Sequence, residues 1–297
     1  MIIFVAMRLL PGDPLVAIFG LEGAHRLTPA QRANLEDALG LRDPLVVQYG
    51  NWLWDIGTGH FGKSLLRGDS VTQFVLRRGP ITLEIAILAT VISWVVGFPV
   101  GIVSAVRPRS WLDHAGGTFS TLFVAIPGFW LGLVAVLALI LWFDYKAPIL
   151  PVYPWENPSK NLQMVAGPAL VLGLGFAGFV ARMVRSSLLE VMQEDYVRTA
   201  RAKGVHEQLV VARHALRNAM LPVVTWSGLF LGVALGGSVA VEKAFGVPGL
   251  GKEFVQSILN RDYNIVIGVF TGYAALIGLA NLAVDLIYPL IDPRIRY

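Results

Sequence analysis

Residues 80–106 read PITLEIAILATVISWVVGFPVGIVSAV, an apolar run whose single charged side chain is Glu84. A helix of about 20 such residues crosses the hydrocarbon core of a bilayer, so this stretch is long enough to span one. Working outward, four further runs qualify, at 118–143, 168–184, 221–241 and 265–291, the third being the shortest. A sixth, 1–10, amounts to about half a crossing before Pro11, Gly12, Asp13 and Pro14 break it. Either the true start lies upstream or this helix is incomplete; a cleaved signal peptide is disfavoured, because no basic region precedes the run and no small-residue cleavage site follows it. The expected fold class is all-α, a polytopic bundle of transmembrane helices.

Composition agrees. Hydrophobic residues make up 55% of the 297, charged residues 15%, and the mean hydropathy is +0.62; a soluble domain carries about a quarter charged residues. The net charge of +4 comes from Lys and Arg gathered between apolar runs. That pattern reflects membrane topology, since a nucleic-acid surface would show a basic face with interleaved aromatics. With no Cys, disulfides, thiolate metal sites and cysteine nucleophiles are excluded. His25, His60, His114, His206 and His214 lack paired metal spacing, and no Ser, His and acid set falls at one membrane depth. No enzyme active site is evident.

Orientation follows from the short loops. One set holds Arg107 and Arg109, then Arg182, Arg185, Arg198, Arg201, Lys203, Arg213 and Arg217, then Arg294 and Arg296; the opposite set holds only Lys146, Lys160, Lys243, Lys252 and Arg261. The first set is expected to be cytoplasmic, with the C-terminus inside. The expected organisation is a partial first helix at 1–10, an extracytoplasmic segment with short helices at 11–79, and a transmembrane core at 80–297 that includes a cytoplasmic loop at 186–220. In the outer segment, Thr28, Pro29 and Gln31 form a capping box with Pro at the first helical position, Gly40 suits the stop, and Asp43 and Pro44 begin another helix. Tyr49, Trp52 and Trp54 suit either the headgroup level or packing on the bundle.

Gly57, Thr58, Gly59, His60, Phe61, Gly62, Lys63 and Ser64 match the P-loop pattern, in which backbone amides and a Lys cradle phosphates. The match is rejected. A P-loop follows a buried parallel strand and feeds a helix, whereas this segment has no parallel-sheet pattern and falls on the outer side, away from ATP.

Within the spans, Gly228, Gly232 and Gly236 recur every fourth residue, as do Gly268 and Gly272, an interval that lets lipid-embedded helices approach closely. Glu84 and Asp285 are the acids at membrane level. Local pairing or capping, with Arg77 and Arg78 near the first and Arg294 or Arg296 within reach of the second, is favoured over a proton or substrate pathway.

From 186 to 220 the chain is polar and basic yet keeps an apolar helical rhythm, first at Leu188, Leu189, Met192, Tyr196, Thr199 and Ala200, then at Val205, Leu209, Val210, Ala212, Leu216 and Ala219. Gly204 separates the two. A helix, a left-handed Gly turn and a second helix make a compact projection.

The run Asp195, Tyr196, Val197, Arg198, Thr199, Ala200, Arg201, Ala202, Lys203, Gly204, followed by Leu216, Arg217, Asn218, Ala219, Met220, Leu221 and Pro222, resembles the dipeptide and oligopeptide branch of ABC importer permeases. Arg198, Thr199 and Ala200 stand where the general permease consensus has Glu-Ala-Ala, a departure that favours the peptide branch. The resemblance extends to 10–14, 59–64, 126–130, 241–251 and 292–297. It implies a six-helix permease fold, here with an incomplete first helix, in a bacterial or archaeal cytoplasmic (inner) membrane. It further implies a second homologous permease subunit, two cytoplasmic ATPase subunits that bind ATP and Mg, and an extracytoplasmic substrate-binding protein, with no cofactor in this chain. Ala200, Ala202 and Gly204 then become close-packing positions against the ATPase, and Asp195, Arg198 and Lys203 polar contacts. Tyr196 and Thr199 complete that surface. Peptides lead as substrate, and the branch also includes nickel and glutathione permeases. The competing reading is an ion-driven secondary transporter, which internal repeats and mid-membrane acids would favour; neither is seen.

Overall fold

The computed structural model describes residues 4–5, 14–38, 40–64, 68–146, 148, 150–260 and 262–291. The expected half-crossing at 1–10, apart from residues 4–5, lies outside them, as do the break at 11–13, the C-terminal stretch 292–297 and the surroundings of Gly228 and Asp285. Eleven helices are labelled: α1 Pro14–Arg26, α2 Pro29–Ala38, α3 Leu45–Gly57, α4 Val71–Val106, α5 Trp111–Ala125, α6 Gly128–Phe143, α7 Pro158–Val191, α8 Asp195–Ala202, α9 Leu216–Phe245, α10 Leu250–Leu259 and α11 Tyr263–Ile291. Among the described residues the sole extended pairing is an isolated antiparallel bridge between Lys63 and Ser70.

Among the described residues, four single helices are long and apolar enough to cross a membrane: Val71–Val106, Pro158–Val191, Pro222–Phe245 and Asn264–Leu282. The run read as one span at 118–143 is a pair of helices, α5 and α6, bent by 96° at a short break, which together are long and apolar enough to make a fifth. The cause is local. Ile126 precedes Pro127 and is held extended (φ −80°, ψ 123°), while Pro127, also extended, has no N–H to continue the ladder. The span read at 168–184 is part of the much longer α7, which Asn157 caps by accepting from the Lys160 amide at 3.0 Å.

The chain divides into two compact units, Met1–Pro80 with Lys252–Ala274, and Ile81–Gly251 with Ala275–Tyr297. In the first, Thr28 and Gln31 form the reciprocal capping box: the Gln31 amide donates to Thr28 Oγ1 at 3.3 Å and the Thr28 amide to Gln31 Oε1 at 2.9 Å. Tyr49 stacks on Trp52 at 5.5 Å, with Phe4 edge-on to Tyr49, while Trp54 is exposed. Arg78 pairs with Glu253 at 3.1 Å. A Cβ on Gly268 or Gly272 would collide with Val71 or Val75, so both glycines serve close approach of α11 to the start of α4.

In the second unit, α4 and α7 pack over a core of Ile81, Ile85, Ala89, Val165, Val171 and Leu172, closed by Val241 and Phe245 of α9. Gly97 and Gly101 make this possible. A Cβ on Gly97 would lie 2.8 Å from the Val180 side chain, and one on Gly101 2.6 Å from the Ala181 carbonyl. Between apolar helices in lipid, such packing is the main attraction, because burial from water no longer supplies it. By contrast a Cβ on Gly232 would make only ordinary contact with Ile277 at 3.5 Å, and one on Gly236 would meet nothing within 4 Å in this chain.

Glu84 finds a partner other than the expected arginines: it accepts from Asn161 Nδ2 at 2.9 Å, an amide fixed also on the Val152 carbonyl. A further acid, Glu242, is wholly buried where α9 approaches its end. It accepts from Thr82 Oγ1 at 2.7 Å and from the Gly251 amide at 2.7 Å, while Thr82 Oγ1 accepts from the Leu250 amide at 2.9 Å. This clasp satisfies amides at the start of α10.

Candidate functional site

The loop at 186–220 folds as a hairpin whose first limb is α8. The apolar rhythm read from Leu188 to Ala200 breaks at 192–194, where α7 ends and a new helix begins at Asp195. The phase therefore resets: Val197 and Ala200 are buried, while Tyr196 is 40% exposed. Val197 and Ala200 meet Val210, with Val191, Met192 and Val205 alongside, in a small core of the hairpin's own.

Gly204 turns the chain. Its φ is +78°, and a Cβ there would meet nothing within 4 Å, so the glycine is required by backbone conformation and not by crowding within this chain. The Gly204 amide donates to the Arg201 carbonyl at 2.9 Å and the Val205 amide to the Ala200 carbonyl at 3.3 Å. These two bonds, with Val205 packed beside Ala200, form a Schellman cap.

The second limb runs through a short turn, Glu207–Leu209, a π-helix, Val210–Ala215, and on into α9 without interruption. The wider π spacing explains a shifted pattern. Val210, Val211, Ala215 and Ala219 are buried, whereas Leu209, expected to be apolar-facing, is 50% exposed. Val211, Ala215 and Ala219 pack with Leu188 of α7 and Ala105 of α4. The hairpin is thus seated on the ends of two spans and continuous with a third.

Polar contacts divide into internal and outward-facing sets. Arg201, given no role of its own by sequence, is the internal staple: its Nη2 and Nε reach Glu207 at 2.7 and 3.1 Å, and its Nη1 reaches the Met192 carbonyl at 3.4 Å. This pairing holds the Glu207 carboxyl below its usual value and raises the Arg201 guanidinium further. The signal was available as an Arg followed six residues later by an acid across a Gly turn. Asn218 donates to the Tyr196 hydroxyl at 2.8 Å, tying the two limbs, and Thr199 donates to the Asp195 carbonyl at 2.9 Å. Asp195 and Arg198 form a loose surface pair at 3.6 Å. Ala202, Lys203 and Gly204 are exposed at the tip. Of the predicted positions, Ala200 therefore faces the hairpin's own core, while Asp195, Arg198, Thr199, Ala202, Lys203 and Gly204 lie on its outer surface with Tyr196.

The 57–64 segment is built otherwise. It follows a helix, α3, and leads into the Lys63–Ser70 bridge. The amides of Gly59, His60 and Ser64 are bonded to the carbonyls of Ile56, Asp55 and Asp69. Ser64, whose counterpart in a P-loop would hold magnesium, is buried and donates to the Asp262 carboxylate.

A family model described as binding-protein-dependent transport system inner membrane component matches residues 97–297. A putative peptide transport system permease protein of Brucella abortus (strain 2308) is 41% identical over 297 residues, covering 99% of this chain and 92% of that protein. An oligopeptide transport system permease protein, AppB, of Bacillus subtilis (strain 168) is 38% identical over 299 residues, covering 99% of this chain and 93% of that one. Among solved structures, an inward-facing conformation of the MetNI methionine ABC transporter aligns with a TM-score of 0.60 at 23% identity, covering 74% of this chain and 97% of that one. That likeness shows a shared fold.

Proposed function

Because the chain belongs to the family of binding-protein-dependent transport system inner membrane components, we propose that it forms half of a peptide translocation pathway and that its 186–220 hairpin receives the movement of a cytoplasmic ATPase. The carrying observation is the hairpin's construction. It has its own core, a tip of exposed polar residues, and a base packed on α4 and α7 and continuous with α9. An element so seated moves as one piece with the spans, as a rigid-body switch between inward and outward openings demands. ATP and Mg belong to the partner subunits in this reading. A second permease completes the pathway, and an extracytoplasmic binding protein delivers the substrate. The charge bias of the loops supports an inside location for the hairpin and the C-terminus. Peptides are the substrate class that the named relatives support.

The test is reconstitution of the complex that co-purifies with this chain into liposomes. ATP-dependent accumulation of short peptides, unaffected by collapsing ion gradients, is the expected result. Loss of every ATPase on mild extraction, with ion-driven uptake by the single chain, would support the secondary-transporter reading instead.

A further inference from the structure

A polar cavity of about 420 Å³ lies among α4, α5 and α7 near the loop that joins the first two, lined by Ser104, Asp113, His114, Ser120, Arg182 and Arg185 among others. Asp113 is already fully engaged. Arg185 Nε and Nη2 reach its two carboxylate oxygens at 2.6 and 2.8 Å, and the Arg109 amide donates to it at 2.9 Å. Two guanidinium groups against one carboxylate leave one positive charge in excess. Arg182 is exposed and lies over the Phe179 ring at 5.6 Å. It has no carboxylate partner among the described residues, and Arg185 Nη1 points to none either.

The cavity floor carries a second, independent signal. Ser104 and Ser120 are 2% and 5% exposed, yet neither hydroxyl has a hydrogen-bond partner among the described residues. A Cβ on Gly116 would collide with Ser104 Oγ, so the hydroxyl occupies its place only because a glycine stands opposite. Both serines line the cavity, so water or a ligand held there supplies the hydrogen bonds their hydroxyls lack within the chain. His114, whose Nδ1 lies 2.7 Å from the Ser110 carbonyl, lines the same cavity.

Two guanidinium edges and two hydroxyls around one space suit an anion with several acceptor oxygens, that is, a phosphate. Position identifies its source. Trp111, 76% exposed at the head of α5, stands beside Arg107 and Arg109 in the manner of an interfacial anchor. From there the cavity reaches Ser120, about 13 Å along the helix, a depth at which a soluble anion would leave water behind but a phospholipid carries its own phosphate and glycerol. We propose that this cavity binds the headgroup of an anionic phospholipid of the cytoplasmic leaflet, Arg182 and the free edge of Arg185 holding the phosphate and Ser104 and Ser120 meeting the ester or glycerol oxygens. The leaflet assignment rests on the orientation given above.

The purified complex containing the full chain, in detergent, is titrated with dioctanoyl phosphatidylglycerol, dioctanoyl phosphatidylcholine or inorganic phosphate, and bound lipid is counted by native mass spectrometry. Saturable phosphatidylglycerol binding is expected, weakened roughly tenfold by Arg182→Gln, the loss of one charge-assisted contact, and unchanged by Lys146→Gln on a distant loop. The double variant Ser104→Ala, Ser120→Ala keeps both charges and should also weaken binding, which serves if Arg182→Gln fails to fold. Equal binding of the two lipids, or wild-type affinity in the variants, overturns the site. Displacement of the lipid by inorganic phosphate at equal concentration overturns the lipid source in favour of a free anion. Because lipid is counted directly, failure here is separable from failure of ATP-driven uptake.

Discussion

The segment 57–64 and the hairpin tip at 195–204 both place glycines at positive φ, Gly59 at +75°, Gly62 at +71° and Gly204 at +78°, yet they serve opposite ends. The first matches a nucleotide motif residue for residue, yet bonds the amides of Thr58, Gly59, His60 and Ser64 internally and buries the Ser that would meet a metal. The second builds a projecting element with an internal staple and an exposed polar tip. A motif signals function only when its backbone groups remain available to a partner; geometry decides which are spent.

The largest effect that would test this contrast comes from Gly204→Val. A β-branched residue at φ +78° introduces strain of about 1–3 kcal/mol, enough to reduce the native turn by roughly fivefold to a hundredfold. Uptake should fall accordingly while the chain persists in the membrane and ATP hydrolysis continues uncoupled. Gly204→Asn sharpens the reading, since Asn tolerates the left-handed region. Substantial recovery of uptake in Asn over Val assigns the glycine to conformation, whereas equal loss assigns it to contact with a partner.

Next in size, Ser64→Ala should lower the unfolding free energy by about 1.5–3 kcal/mol, the worth of a buried bond to a carboxylate, read as a lower thermal midpoint in detergent without loss of nucleotide binding by the complex. Smaller still, Arg201→Ala removes a half-exposed pair and should cost only about 0.5 kcal/mol after solvent screening, visible as faster hydrogen exchange over 195–209. The same staple gives a pH dependence. The Glu207 carboxyl is held below its usual 4.5, so the stabilisation is complete above that value and is lost as pH falls through the depressed one. Exchange over the hairpin should quicken on acidification in the wild type and not in Arg201→Ala. Lys63→Ala, on the exposed side chain of the P-loop match, should leave ATP hydrolysis by the complex unchanged; loss of ATP binding would reinstate the motif.

Sequence carried the all-helical class and the run of apolar segments, because a span needs length and apolarity alone. The Thr28–Gln31 capping box and the Gly204 turn were equally plain, each set by local chemistry. What it missed depended on phase or partner. The bend at Ile126 and Pro127 hides inside an unbroken apolar run, and the π-helix at Val210–Ala215 shifts the buried face by a residue that no 3.6-period template anticipates. Gly97 and Gly101 carry the same four-residue spacing as the glycines singled out, and only the facing helix α7 reveals them as another tightly packed pair. Glu84 was matched to arginines near in sequence, whereas Asn161 was reached from another helix. Arg201 and Glu207 become a pair only once the chain has turned between them.

The central claim is that the hairpin tip meets an ATPase. The chain contains no Cys, so a single Ala202→Cys gives one reactive position at an exposed site. A short bifunctional reagent applied to membranes should join it to an ATPase subunit, with a yield that changes on ATP addition, while a Cys placed at Lys63 should capture none. Capture of the ATPase from position 63, or its absence at position 202 in a complex that still hydrolyses ATP and transports, would contradict the account.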